Sequence, residues 1–334
     1  MKKVLLSLAV LAATTVSAMA QDGIENEKRA AYLDQLAGKR VVFIPMNMNA
    51  DLSIAWNAYV QRQAAELGYT IDLRDPNWST EAGARALTAA ISEKPDLIVL
   101  QNPDVQSYAR LISQAQNQGI KLIQLNMESL TPSDTYVGAD WQGIGYAAGQ
   151  EVAKHCGAPD APSKKIAITM GVPTAPVDLF QIYGFKKALE EAGGGFEIVS
   201  QQAAAYDPSK ANSITAAVLQ QHSDLCAVFG IWDGMDAGAG AAVKEAGMQD
   251  SVYVVTSGGA AAASCEKIAD GTYDMYISYD ARKQGAALNV QVAQLLQSKT
   301  PAGQDPVVYY TPNTRLTKDT LSPSSCWSFE DLEK

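Results

Sequence analysis

Apolar positions along this chain fall into short, nearly continuous runs rich in β-branched residues, set apart by longer stretches of amphipathic pattern. The runs of the first half are RVVFIPM (40–46), TIDLRD (70–75), DLIVLQN (96–102), KLIQLN (121–126) and DTYVGAD (134–140). The second half repeats the theme with KKIAITM (164–170), FEIVSQQ (196–202), AVFGIW (227–232), VYVVTS (252–257) and YDMYISYD (273–280), and VVYYTP (307–312) comes late. Runs that are apolar on both faces predict parallel strands buried between helices. Between them, helices are predicted over 52–67, 80–93, 104–118, 141–155, 178–192, 209–221, 234–246 and 282–298, three of them stopped by Gly68, Gly119 and Gly247.

Strand and helix alternate roughly every 25–30 residues, the length of a βαβ unit. A seam, GAPDAPSKK (157–165), separates two comparable halves, which predicts an α/β protein of two doubly wound parallel-sheet lobes. The polar stretch 22–39 predicts an additional helix laid on the first lobe.

The first twenty residues stand apart. Lys2 and Lys3 precede an apolar run and the small-residue site Ala18-Met19-Ala20, the pattern of a cleaved secretory signal peptide. The run is too short to span a bilayer, and no cysteine follows the cleavage site. Over the whole chain 26 Lys and Arg face 36 Asp and Glu, a formal −10 that becomes about −12 once the leader's two lysines are gone. That balance disfavours nucleic acid and anionic membrane surfaces as partners. Four cysteines in an exported protein point to disulfides, and with no CxxC and only the distant His155 and His222, no zinc site is expected.

Ligands of open parallel sheets bind beyond the carboxyl ends of the strands. The residues there are amides, carboxylates and aromatics: Asn47, Asn49 and Asp51 after the first strand, then Asn102, Asn126 and Asp140. In the second half they are Tyr206, Trp232, Asp233, Tyr279 and Asp280. Several have a purely structural reading. Asn102-Pro103 and Asp207-Pro208 have the form of a helix N-cap followed by proline, Asp51 and Asp233 can also cap, and Trp56 and Trp78 read as core or surface aromatics.

GIGYAAG (143–149) lies within a helical stretch, so its glycines suggest close helix packing rather than a phosphate loop. Gly258-Gly259 could hold an anion on backbone N–H groups, but no basic residue is near in sequence. Neither GxSxG nor HExxH occurs. Paired amides and carboxylates match adjacent hydroxyls, and aromatic faces match C–H surfaces, so the edge suits a neutral polyhydroxy molecule.

The order of motifs also resembles the periplasmic sugar-binding proteins of ABC transporters, of the ribose-binding type, over about residues 39–315. The markers are LGY (67–69), NPD (102–104), YGF (183–185), AVFGIWDGMDAGAGAAV (227–243) and DGTYDMYISYD (270–280). The resemblance implies a type I periplasmic binding fold, with a ligand cleft between Rossmann-like lobes and a three-segment hinge near Ala139-Asp140, Tyr279-Asp280 and Pro312-Asn313. One lobe would hold 39–139 plus 281–312, with 21–38 as an extension, and the other 140–280 plus 313–334. It further implies a monomer without cofactor or catalytic residues, located in the periplasm, whose closed form meets a membrane permease.

Residue by residue, the family's asparagine after the third strand falls on Asn102, and its Asp-Arg pair is replaced by Asn126-Met127. A ligand-binding arginine falls on Gln181 and the stacking phenylalanine on Tyr206. An Asn-Asp pair falls on Trp232-Asp233, the glutamine at the second crossing on Tyr279, and the aspartate after the ninth strand on Gly258. The ribose anchors are thus not preserved, which implies a different monosaccharide or a sugar alcohol. In this two-lobe layout, pairing Cys156 with Cys226 and Cys265 with Cys326 keeps all four cysteines in one lobe, out of three possible connectivities. Two alternatives keep the pocket chemistry: an exported carbohydrate-active enzyme using two carboxylates, and a ligand-sensing partner of a chemoreceptor or kinase.

Overall fold

Strand β1 (Arg40–Ile44) shows why the runs are apolar throughout. Val41 and Phe43 pack on one side with Trp56 and Leu288, while Val42 and Ile44 pack on the other with Leu87 and Ile112. All four strand side chains are fully buried. A sheet covered on both faces cannot alternate apolar with polar.

The computed structural model describes residues 24–332, so the leader peptide lies outside the described residues. The first sheet has the order β2 (Thr70–Leu73), β1, β3 (Leu97–Leu100), β4 (Lys121–Leu125), β5 (Thr135–Gly138) and β11 (Val307–Tyr310), all parallel. The second has β7 (Glu197–Ala203), β6 (Lys165–Met170), β8 (Ala227–Gly230), β9 (Tyr253–Gly258), β10 (Met275–Ser278) and β12 (Thr314–Leu316), with only β12 antiparallel. Each sheet reverses its strand order once, between β1 and β3 and between β6 and β8. These are the points where side chains at the carboxyl edge have room to meet a ligand.

The chain passes between the sheets after β5, after β10 and from β11 to β12. The helix Ala281–Gln297 returns to the first sheet, where Ala287, Leu288 and Val292 join the core around Val41 and Trp56. An N-terminal helix, Ile24–Leu36, buries only Leu36 among its described side chains. Among the described residues no helix is long and apolar enough to cross a membrane.

Three local outcomes differ from or refine the sequence reading. The helix expected from 104 begins at Ala109, because the Asp104 carboxylate accepts the N–H groups of Gln106 and Ser107 and holds a turn there. Asn102-Pro103 is therefore not a helix cap, whereas Asp207 does cap the helix Pro208–Gln221, accepting from Ser209 and Lys210. Gly145 and Gly149 of GIGYAAG lie where the helices Trp141–Cys156 and Pro176–Ala192 cross. A Cβ on Gly145 would stand 1.9 Å from the Gln181 carbonyl, and one on Gly184 would stand 2.1 Å from that of Gln142.

Cys156 is bonded to Cys226, and Cys265 to Cys326, all on the side of the second sheet. The first bond spans 70 residues, a large loop whose closure restricts the unfolded chain. Replacing Cys156 and Cys226 together with alanine is expected to lower unfolding free energy by about 2–4 kcal/mol. Denaturant unfolding of that variant beside the oxidised protein checks this, and an unchanged midpoint would refute it.

Candidate functional site

The corner after β1 contains no glycine, and Asn47 explains how it turns. Its side-chain oxygen accepts the backbone N–H groups of Asn49 and Ala50, each at 2.8 Å, and so directs the chain into the helix Asp51–Leu67. Asn47 is 2% exposed. The amide does the work that a glycine turn would do elsewhere, and its NH2 group is left over.

That NH2 group faces a cleft of about 50 Å³ formed where the carboxyl edges of the two sheets meet. From the first sheet's side come Met46, Asn47, Trp78, Gln101 and Asn126; from the second sheet's side come Trp141, Tyr206, Trp232 and Tyr279. Gln101 and Asn126 share the arrangement of Asn47. The Gln101 oxygen accepts Met46 N–H at 3.0 Å, and the Asn126 oxygen accepts Gln284 Nε2 at 2.7 Å. All three amides have their oxygens committed, and none of their NH2 groups has an acceptor among the described residues. The cleft thus presents three oriented donors. None of the side chains that line it is charged.

Aromatic rings make the rest of the wall. Trp78, 44% exposed, lies stacked on Tyr206 with ring centres 6.0 Å apart and stands 6.4 Å from Trp232. Tyr279 meets Trp141 edge-on at 5.1 Å. Trp141 is fixed in turn by its indole N–H, which donates to the Asn126 carbonyl at 2.8 Å. The Tyr206 hydroxyl donates to Asp178 at 2.9 Å, and Asp178 also accepts the N–H groups of Gly171 and Val172. Burial pushes the Asp178 carboxyl up to about 7, against the opposing pull of those three hydrogen bonds.

The other predicted residues are placed elsewhere. Asn102 is fully buried below the cleft, donating to Gln124 and to the Met127 carbonyl, each at 2.8 Å. Gln181 is a buried brace that donates to the Ile231 carbonyl at 3.0 Å and accepts from Ser257 at 3.1 Å. Asp140 and Asp280 cap the helices Trp141–Cys156 and Ala281–Gln297, and Asp280 is tied to Arg282 at 3.0 Å. These four do not line the cleft.

Asn49, Asp51 and Asp233 line an adjoining chamber. Asp233 accepts from Ser264 and Tyr276, and burial holds its carboxyl above the ordinary range. Gly258 is what admits it: a Cβ there would lie 2.2 Å from the Asp233 carboxylate.

Trp78 is the correction in the other direction, since it stands on the cleft while Trp56 is core. Consecutive left-handed residues, Asn77 at φ 47° and Trp78 at φ 67°, aim the ring across the gap. No local sequence signal announces that turn.

The family described as periplasmic binding protein domain matches residues 41–300. The D-ribose/D-allose-binding protein of Pseudomonas aeruginosa is 27% identical over 246 residues, covering 71% of this chain and 75% of that protein. The ribose import binding protein RbsB of Escherichia coli is 24% identical, covering 72% and 78%. Among solved structures, GanP, a glucose-galactose binding protein from Geobacillus stearothermophilus, superposes with a TM-score of 0.75 at 19% identity, covering 85% of this chain and 99% of that one. A periplasmic solute binding protein from Actinobacillus succinogenes with bound D-allose gives 0.71 at 21% identity, covering 84% and 98%. The two six-stranded parallel-dominated sheets, the cleft between their carboxyl edges and the match over most of the chain agree: this protein belongs to the periplasmic binding protein family.

Proposed function

We propose that the protein captures a neutral sugar or sugar alcohol between its two lobes and delivers it to the membrane permease of an ABC transporter. The observation that carries this reading is the cleft lining: three donor amides and five aromatic side chains, with no charged side chain. Ligand hydroxyls accept from Asn47, Gln101 and Asn126, while Trp78, Tyr206 and Trp232 cover C–H faces. A carboxylate or phosphate would enter without a counter-charge, at a cost its hydrogen bonds would have to overcome. The related proteins named for ribose and allose are binding and import proteins, which supports the same role.

On this reading residues 1–20 export the chain to the periplasm. The lobes are 39–139 plus 281–312 and 140–280 plus 313–334, and the three crossings form the hinge on which they close.

Thermal unfolding with neutral sugars, sugar alcohols, amino acids and sugar phosphates tests the class. A ligand present at about a hundred times its Kd adds roughly 2.7 kcal/mol, so stabilisation confined to neutral polyhydroxy compounds is expected. Hits only among amino acids or phosphates would overturn the reading. Trp78→Ala is expected to weaken the bound compound by about tenfold, as a lost ring stack of about 1–1.5 kcal/mol implies. Unchanged affinity would remove Trp78 from the site.

A further inference from the structure

Beside the aromatic cleft, across Ala50, Leu52 and Trp232, opens a second chamber of about 240 Å³. The cleft alone, near 50 Å³, is far below the roughly 300–1,000 Å³ of ordinary ligand pockets. With the adjoining chamber the space comes near the lower end of that range.

The chamber's chemistry differs from the cleft's. Asp51 enters from the first lobe, and among the described residues its carboxylate has no hydrogen-bond or ion-pair partner. Asp233, Ser264 and Lys267 enter from the second lobe, and Lys267 has no ion-pair partner among the described residues. Trp232, only partly buried, supplies an indole face, and Trp327, 1% exposed, closes the floor behind the chamber. Lys267 opposes a bare cation, and two carboxylates oppose a bare anion. Acceptors and donors of both signs beside an indole face suit hydroxyls on a carbon ring.

From this arrangement we infer that the chamber is a second sugar subsite, and that the ligand is a neutral disaccharide with one ring in the cleft and the other against Asp51, Lys267 and the Trp232 indole. The inference rests on the reading of the cleft as a sugar site. Trp232 stands on both spaces and would touch both rings.

The floor carrying Trp327 lies beyond the residues 41–300 that match the family. It is nevertheless firmly set. Cys326 is bonded to Cys265, Trp327 N–H donates to the Ala260 carbonyl at 2.9 Å, and its indole donates to the Gly259 carbonyl at 2.7 Å. Cys265 and Lys267 share the helix Ala262–Ala269, so the disulfide fixes the tail beside the lysine.

Calorimetric titration of the protein with D-glucose, D-galactose and D-ribose, and with maltose, cellobiose, lactose and melibiose, tests this. At least one disaccharide is expected to bind tenfold or more tightly than any of the three monosaccharides. Lys267→Met and, separately, Asp51→Asn are expected to weaken that disaccharide tenfold or more while changing the best monosaccharide less than twofold. Monosaccharides binding as tightly as every disaccharide, or variants that weaken both classes equally, would overturn the second subsite and leave the cleft reading intact. No binding by any of the seven would overturn the second subsite, and the cleft reading falls with it if the sugar alcohols also fail to stabilise the protein.

Discussion

Gly258→Asp is expected to cost the fold about 3–5 kcal/mol, the penalty of an unpaired charge forced into a buried site. The resemblance to the ribose-binding type implies an aspartate at this position, after the ninth strand. Here the space is taken. A Cβ at 258 would stand 2.2 Å from the Asp233 carboxylate and 2.4 Å from the Tyr276 hydroxyl. Asp233 reaches that space from the start of the helix Asp233–Glu245 and accepts from Ser264 at 2.5 Å and Tyr276 at 2.8 Å. The new carboxylate would meet a like charge whose carboxyl already sits above its ordinary range because it is buried. Moving the charge, by combining Gly258→Asp with Asp233→Ser, should recover most of the loss. Denaturant unfolding of the single and double variants measures both numbers, and a single variant within 1 kcal/mol of the parent would refute the steric and electrostatic account.

Stability should also fall as pH rises from 5 to 8, by on the order of 3 kcal/mol through Asp178 alone. In the folded protein burial holds this carboxyl at about 7, against an ordinary value of 3.8. The folded state therefore keeps a proton that the unfolded chain releases near pH 4. The stabilising contribution is complete below the unfolded value and is lost as pH climbs through the folded one. Asp233 and Asp236, also raised by burial, work in the same direction. The difference between the parent protein and Asp178→Asn isolates the one group: it should change by that amount between pH 5 and pH 8. A difference independent of pH would show that Asp178 is charged throughout. The group matters to the cleft because its partner is Tyr206, whose ring lines the wall.

The strands legible in the sequence were those with four or more consecutive residues of β-forming type, whether buried on both faces as β1 and β3 or exposed at a sheet edge as β11. β12 escaped notice because Thr314–Leu316 is three residues at a sheet edge with only Leu316 buried, too short for any period. At the strand ends, residue type alone could not separate scaffold from site. Asn47 and Asn102 are both buried asparagines after strands, yet one offers its NH2 to the cleft and the other gives it to Gln124 and Met127. What divides them is which end of the amide is taken: Asn47 commits its oxygen to its own corner, whereas Asn102 commits its NH2 to acceptors 22 and 25 residues away along the chain. Trp78 depended on a left-handed turn with no glycine, and Trp327 on a disulfide across 61 residues. Neither relation has a local signature.

The two cystines join each cysteine to the next one along the chain, 156 with 226 and then 265 with 326. A polypeptide that meets an oxidant N-terminus first, as an exported chain does, would present Cys226 while Cys156 is the only thiol waiting. It would then present Cys326 when only Cys265 remains. Oxidation in order of emergence therefore yields the native pairing directly, without a thiol-exchange step to correct it. Maturation of this protein should need a source of oxidising equivalents and no disulfide isomerase.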